Sequence, residues 1–599
     1  MDPTASNNNQ SSPKEAMEEE KVPISNNSNK NKNDEGEDDG DNKSDADSDL
    51  GDEKLASSEI DPLQVCLQGL DSFSQEKDLA KFLQSKFEPP IRAESIVKKK
   101  GKSYAFIAFA TVEEKARFEK AARGMKYKNK KIKVRPVNIN THSLKFEKKV
   151  KKIEEEMQTP KTIPRASEEE IKLEMAKPIQ EKVCPLWKTP YEEQILKKKA
   201  ELTEVLKTIK TKALETLKKE DSGFIPVQKW LTEESGPLAC PLTEFLPAEE
   251  SHRFYYRNKA ELTIGEAYNK PGEIVIGFNK GQFSKGYMYV ESGAECPVIS
   301  KEAIELAGIL EAYLNKSGLE AYDRLKHSGV WRSFVVRQSE KFKDMLINIV
   351  VHKGNIKPPE RFEEIKTELV NLFKDYNTNG YKISSILLQE HEGVADNIPY
   401  DTPVHKLLGE DYYHDEILGY KFRVSSNAFL QVNSSSCEKL YSLIKKVSAV
   451  DKDTVFLDIC SGIGTIGICC AAEAKKIVGV EIIDKAVKDS DFNAKLNGLE
   501  NTEYFAGKVE SLIKDVIKPY AGNSKIVGVV DPPRAGLHKD VVTALRTCKG
   551  LDNLIYVACN PEGVVGNLLD LCLPATKRRK APPFVLKEAY GVDLFPQTE

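Results

Sequence analysis

The sequence predicts a multidomain α/β chain that ends in a doubly wound parallel sheet. Two apolar runs, 526–530 and 554–558, each end in a polar cluster, Asp531-Pro532-Pro533-Arg534 and Cys559-Asn560-Pro561. Val541, Val542 and Leu545 repeat at helical spacing between them, so the stretch is strand, helix, strand, the unit of a parallel sheet. Upstream, 454–470 is TVFLDICSGIGTIGICC, an apolar strand passing through a glycine-bearing turn into an apolar helix. At 599 residues the chain exceeds one core, and about three domains are expected. Ligands of such sheets sit beyond the carboxyl ends of the strands. A carboxylate, Asp531, and a thiol, Cys559, on neighbouring strand ends point to chemistry more than to packing.

Composition narrows the class. The 11 Cys are scattered, mostly inside apolar runs. No apolar segment opens the chain, and no run reaches the ~18 residues of a membrane span. A reduced, intracellular, soluble protein is expected. Neither Cys-x-x-Cys nor His-Glu-x-x-His occurs, which argues against a metal or iron–sulfur site. The net charge of −4 hides an asymmetry: residues 1–60 carry 17 Asp/Glu against 6 Lys/Arg, a net of −11. Residues 61–140 carry 18 Lys/Arg against 9 Asp/Glu, a net of +9, enough to meet phosphate.

In chain order, residues 1–60 are Asn-, Ser-, Asp- and Glu-rich and too poor in aliphatic side chains to fold, so a disordered acidic tail is expected. Residues 61–138 have a β-α-β-β-α-β pattern, with strands near 65–67, 95–98, 104–109 and 131–137 and helices near 78–87 and 113–122. Lys102-Ser103-Tyr104-Ala105-Phe106-Ile107-Ala108-Phe109 resembles the RNP1 strand of RNA recognition motifs, whose two aromatics stack on bases. Tyr104 and Phe106 take those places, Phe109 belongs to the core, and Lys98, Lys99, Lys100 and Lys102 add charge. Cys66 stands where an aromatic is usual, so weak, shape-led RNA binding or a protein contact is expected.

Residues 139–235 are dense in charge. The register of Leu196, Leu202, Val205, Leu206, Ile209, Leu214 and Leu217 predicts a linker with long amphipathic helices. Residues 236–411 form an α+β lobe, with strands over 254–266, 273–279, 331–338, 345–352 and 383–390 and helices over 301–314 and 360–376. Tyr255-Tyr256-Arg257-Asn258-Lys259 opens its first long strand, and Arg257 and Lys259 suit phosphate contact; an exposed strand face is the alternative. Residues 412–599 begin with strands turning at Leu418-Gly419-Tyr420. Phe429-Leu430-Gln431-Val432-Asn433 then leads into a helix ending near 447.

Gly462, Gly464 and Gly467 fit Gly-x-Gly-x-x-Gly, glycines that let the backbone turn tightly and pass close to a ligand. Glu481 ends the next strand, 19 residues after Gly462. An acid at that distance accepts hydrogen bonds from a ribose diol. The pattern suits NAD and S-adenosyl-L-methionine equally, or a bare turn.

Four segments in order, Phe429 to Asn433, Asp458 to Thr465, Asp531 to Gly536 and Tyr556 to Pro561, resemble the RNA (uracil-5-)-methyltransferase family, and the RNA recognition motif in front resembles its eukaryotic members. The resemblance implies a Rossmann-like class I domain over 412–599, S-adenosyl-L-methionine as cofactor, and tRNA as partner. It implies 5-methyluridine as product, at the T-loop uridine, position 54. Uracil C5 is a poor nucleophile; a thiolate adding to C6 makes it electron-rich. By its place in the motif Cys559 is that nucleophile. Gln431, Cys460, Gly462, Gly464, Thr465, Glu481 and Asp531 are implied to line the cofactor pocket, with Asp458 either joining them or capping its strand.

One departure is evident. The family's base, which removes the C5 proton, is a Glu in Phe-Pro-x-Thr-x-His-x-Glu. Phe595-Pro596-Gln597-Thr598 matches, but Glu599 falls three places short. The sequence therefore implies a truncated form, or a chain that adds to uridine and releases product slowly. The alternatives are a non-catalytic RNA-binding or tRNA-folding protein, and a methyltransferase of ribosomal or mitochondrial RNA. A monomer without membrane or metal partner, in cytoplasm or nucleus, is expected. Thr576-Lys577-Arg578-Arg579-Lys580 is either a nuclear signal or a basic loop.

Overall fold

The computed structural model describes residues 60–70, 78–79, 82–83, 93–98, 103–109, 111–122, 125–127, 130–138, 166–219, 229–231, 236–393, 398, 402–576 and 581–599. The acidic tail, most of the helix expected over 78–87, Lys99, Lys100, Lys102 and residues 577–580 of the basic cluster lie outside the described residues. The chain divides into two compact units, Met1–Thr159 and Pro160–Glu599.

The first unit holds a four-stranded antiparallel sheet in the order Ala93–Val97, Tyr104–Phe109, Ile60–Gln68, Lys133–Asn138. Alternation sorts its two faces. Val65, Leu67, Ala105, Ile107 and Phe109 point into a core closed by Phe118 of the Val112–Ala121 helix. That helix starts where Thr111 Oγ1 accepts the Glu114 amide at 3.2 Å. Cys66, Gln68, Tyr104, Phe106 and Arg135 fall on the opposite, half-buried face. Cys66 lies across from Phe106 on one side and Arg135 on the other.

In the second unit, a long amphipathic helix expected between the modules is present and packed. A 29-residue helix, Tyr191–Lys219, presents Val205, Leu206, Ile209 and Ala213 to the core of the parallel sheet. An amphipathic stripe shows that a helix buries one face but not against what, so periodicity alone did not separate a linker from a buttress. The helix's first turns grip the C-terminal segment. Lys198 Nζ and Tyr191 Oη both donate to the buried Asp593 carboxylate, each at 2.8 Å. Gln194 Nε2 donates to Gln597 Oε1 at 2.9 Å, and the Gln597 amide donates back to Gln194 Oε1 at 2.8 Å.

The central lobe is a mainly antiparallel sheet in the order Val290–Ser292, Lys270–Asn279, Lys259–Ala267, Trp331–Ser339, Asp344–Val351, Tyr381–Glu390, Asn377–Thr378, with Val404–Leu408 also on Tyr381–Glu390. Helices Lys301–Leu314 and Arg361–Phe373 cover it. A hairpin, Tyr412–Ile417 with Tyr420–Ser425, follows, and helix Ser434–Ser448 is capped by Asn433, whose Oδ1 accepts the Ser436 amide at 3.1 Å.

The five-stranded sheet is all parallel, in the order Thr502–Ala506, Lys476–Glu481, Thr454–Ile459, Lys525–Val530, Leu551–Tyr556. The chain moves outward one way from Thr454–Ile459 and then returns to its other side at Lys525–Val530. The crevice between these two strands' carboxyl ends is the topological switch point where such sheets take their ligands. Ala589–Val592 pairs with Leu242–Leu246 in a separate parallel ribbon.

The Asp593 cluster sets a stability prediction. Asp593→Ala leaves the Lys198 charge, on a side chain only 12% exposed, with the Phe595 carbonyl but no counter-charge, and should lower the unfolding free energy by about 3–5 kcal/mol. Lys197→Ala, which removes the exposed pair with Glu599, should change it by less than about 1 kcal/mol. Denaturant titration of the two variants checks the contrast.

Candidate functional site

The strand ends bring the chemistry-bearing residues to one edge. Ile459 lies level with Val530, and Val530 with Tyr556, so Cys460, Asp531 and Val557 follow at the same height. The Val557 amide donates to the Val530 carbonyl at 2.9 Å, carrying the pairing one step further. Cys559 lies two residues beyond, exposed to solvent. Asp531 is half-buried, has no hydrogen-bonded side-chain partner among the described residues, and burial pushes its carboxyl up to about 6.

The glycine turn is pinned by Glu481. Its Oε2 accepts the Gly462 amide at 3.0 Å and its Oε1 the Ile483 amide at 2.9 Å. A carboxylate has about four acceptor positions, so one on each oxygen stays free. A side chain at Gly462, where φ is +56°, would meet open space. Cys460 also has a positive φ, +61°, a conformation costing a non-glycine residue about 1–3 kcal/mol. Burial pushes its thiol up to about 12.

Two residues expected in the pocket have protein neighbours of their own. Gly464 makes room for Tyr504 and Ser490, since a Cβ there would lie 2.8 Å from Tyr504 Oη and 2.9 Å from Ser490 Cβ. Thr465 is buried, and its hydroxyl shares a 2.9 Å hydrogen bond with Tyr441 Oη. Both make the turn rigid from below, a task that sequence spacing does not separate from ligand contact. Asp458 takes the capping alternative: its Oδ2 accepts the Gly467 amide at 2.9 Å. Its Oδ1 is buried without a partner, and burial pushes the carboxyl up to about 7.

Gln431 is buried, just before helix Ser434–Ser448. Its backbone is held by Asn258, whose Nδ2 donates to the Gln431 carbonyl at 2.8 Å. Arg257 and Lys259 flank Asn258 and are half-buried, with charges that burial disfavours. Lys259 Nζ is paired with Glu261 at 2.8 Å, so a phosphate there would compete with a carboxylate. In the first unit Tyr104 and Phe106 share the open sheet face, rings 5.7 Å apart and edge to face.

Sequence reasoning missed Asn567. Its side chain accepts from the Leu537 amide at 2.7 Å and from Tyr556 Oη at 2.8 Å, and donates to the Leu537 carbonyl at 3.0 Å. One carboxamide thus fastens the end of the Asp-Pro-Pro-Arg-Ala-Gly loop to the Cys559 strand. Gly536 is required there, because a Cβ would sit 2.5 Å from Asn567 Oδ1. The two loops also meet directly: a Cβ on Gly563 would lie 3.1 Å from the Arg534 carbonyl. Among the described residues no cluster of three His, Cys, Asp or Glu could hold a metal, and no helix is long and apolar enough to cross a membrane.

Comparisons with known proteins find relatives. A profile of the tRNA (uracil-5-)-methyltransferase family matches residues 407–581. The chain is 32% identical over 419 residues to human tRNA (uracil-5-)-methyltransferase homolog A, covering 69% of this chain and 65% of that one. It is 32% identical over 425 residues to mouse tRNA (uracil-5-)-methyltransferase homolog B, covering 69% of this chain and 82% of that one. Matches to the human and mouse homolog A proteins thus span just under two thirds of their length, 65% and 66%. Among solved structures, Pyrococcus abyssi tRNA (uracil-54, C5)-methyltransferase in complex with S-adenosyl-L-homocysteine superposes with a TM-score of 0.45 at 21% identity, over 64% of this chain and 78% of that one.

Asp458 generates a prediction about pH. The folded chain holds its proton more tightly than the unfolded chain, where the ordinary value is 3.8. This contribution to stability is full below that value and is lost as pH rises through about 7. Asp458→Asn has no such proton. Its stability relative to the parent should therefore rise between about pH 4 and 7, by a few kcal/mol at most, and stay level above. Denaturant titrations across pH read this directly; a difference that ignores pH contradicts it.

Proposed function

We propose a function from one premise: this chain belongs to the tRNA (uracil-5-)-methyltransferase family. The chain transfers a methyl group from S-adenosyl-L-methionine to C5 of a uridine in tRNA, the T-loop uridine at position 54. The observation that carries the reading is the exposed Cys559 thiol at a strand end, next to the strand that ends in Asp531.

The cleft residues fit the cofactor. The space over Gly462 is open, Glu481 retains acceptor positions for a ribose diol, and Asp531 offers a carboxylate to a positively charged ligand. When bound, the cofactor supplies a methyl group on a sulfonium, a strong electrophile. Gln431 and Cys460 complete the wall.

Cys559 acts as the nucleophile. Its thiolate forms a bond to uracil C6, and the C5=C6 electrons move onto the C4 oxygen as an enolate. C5 then takes the methyl carbon, and the electrons of the breaking carbon–sulfur bond stay with the departing thioether. Solvent water takes the C5 proton, the C5–H electrons re-form the C5=C6 bond, and the C6–S bond breaks with its electrons leaving on the Cys559 thiolate. Two easier steps replace one that neutral uracil performs poorly. Exposure of Cys559 supports this role, since an extruded base must reach the thiol face-on.

The first unit is an RNA recognition motif in this reading, and residues 61–138, 236–411 and 412–599 act as separate modules for RNA, RNA and cofactor. Support comes from the strand order, the paired aromatics and the +9 charge over 61–140. Lys102, Arg257 and Lys259 add phosphate contacts.

Two outcomes follow. Cys559→Ala should lower 5-methyluridine formation on a tRNA transcript at least about a thousandfold while S-adenosyl-L-homocysteine binding persists. Nucleoside analysis and calorimetry check it; retained turnover contradicts the reading. Tyr104→Ala or Phe106→Ala should weaken RNA binding by about 1–3 kcal/mol each, measured by fluorescence anisotropy at fixed salt.

A further inference from the structure

We infer that Asn258 is the positioning residue that sets Gln431 in the wall of the cofactor cleft; this rests on the cofactor reading above. Asn258 is 6% exposed and comes from the lead-in to the first long strand of the central lobe, 173 residues before Gln431. Its side-chain nitrogen donates to the Gln431 carbonyl at 2.8 Å and to Ser434 Oγ at 2.9 Å. Its backbone amide donates to the Val432 carbonyl at 2.9 Å, and its own carbonyl accepts the Gln338 amide at 2.9 Å. Three of its four hydrogen bonds therefore fall on the 431–434 stretch, and the fourth ties Asn258 to the neighbouring strand of the lobe.

The residue type follows from these partners. Only a carboxamide of this length brings two N–H donors on one atom to a carbonyl and a hydroxyl. An aspartate would face the Gln431 carbonyl with an acceptor, and an apolar side chain would leave that carbonyl buried and unpaired. The same inward face holds the other segment that the family motifs bring to this region: Tyr256 Oη donates to the Pro596 carbonyl at 3.1 Å. Arg257 and Lys259, which alternate with them, are half-buried. One short stretch thus fixes cofactor-side backbone with alternate residues and offers charge with the others.

A merely structural residue would lower stability and all activities together. A positioning residue for Gln431 separates them. The experiment uses the full chain, S-adenosyl-L-homocysteine calorimetry, tRNA anisotropy and steady-state kinetics. Asn258→Ala and Asn258→Asp should raise the Kd for S-adenosyl-L-homocysteine about tenfold, the scale of one buried hydrogen bond. The KM for S-adenosyl-L-methionine should rise in parallel, with kcat at saturation and the tRNA Kd within about twofold of the parent. Ser434→Ala removes one acceptor of the same carboxamide and should raise the Kd about threefold, so the inference stays testable if Asn258 variants fail to fold. A parent chain that binds S-adenosyl-L-homocysteine beside variants that bind it equally well overturns the inference alone. A parent chain that does not bind it overturns the cofactor reading.

Discussion

The bond from the Gly462 amide to Glu481 is the constraint on which the cleft depends. A strand that ends over a ligand site must turn without covering it, and the amides exposed by the turn need acceptors. Glu481 supplies one for Gly462 and one for Ile483, so a single carboxylate fixes two consecutive strand ends of the sheet. With the turn held from the front, Tyr504 and Thr465 fill it from behind. The positive φ of Cys460 persists because its surroundings determine it on both sides. The cleft is open at Gly462 because the rest of the turn is closed.

The second requirement is that two loops from neighbouring strands keep their relative position. The Asp531 and Cys559 loops do so through Asn567, which bonds to both sides of Leu537 and to Tyr556. Gly536 and Gly563 allow the close approach. Asn258 likewise holds the Gln431 backbone, and Gln194 holds the C-terminal segment. In all three places a side-chain carboxamide joins irregular backbone, buried at Asn258 and Gln194 and half-buried at Asn567.

Much of this was legible in the sequence where a local period or motif carried it. The parallel sheet came from apolar runs and turns, and the place of Cys559 near a strand end from the run that precedes it. The inward Phe109 and outward Tyr104 and Phe106 came from strand alternation. Contacts across long sequence separations were not legible. The Tyr191–Lys219 helix appeared as a linker because its stripe does not name its partner. The closeness of Tyr504 and Ser490 to Gly464 was not legible because a glycine's neighbours are set by the fold. Asn258, noted only as part of a polar cluster, has its partners 173 and 176 residues away.

The central claim is that one sulfur atom bonds to a pyrimidine during the reaction. It is tested most directly with tRNA carrying 5-fluorouridine, where fluorine blocks the release that proton loss allows. After reaction with S-adenosyl-L-methionine, digestion and mass spectrometry should find a methylated fluorouridine nucleotide on the peptide containing Cys559. An adduct on another residue, or complete 5-methyluridine formation on ordinary tRNA with no adduct on the fluorinated one, would contradict the account.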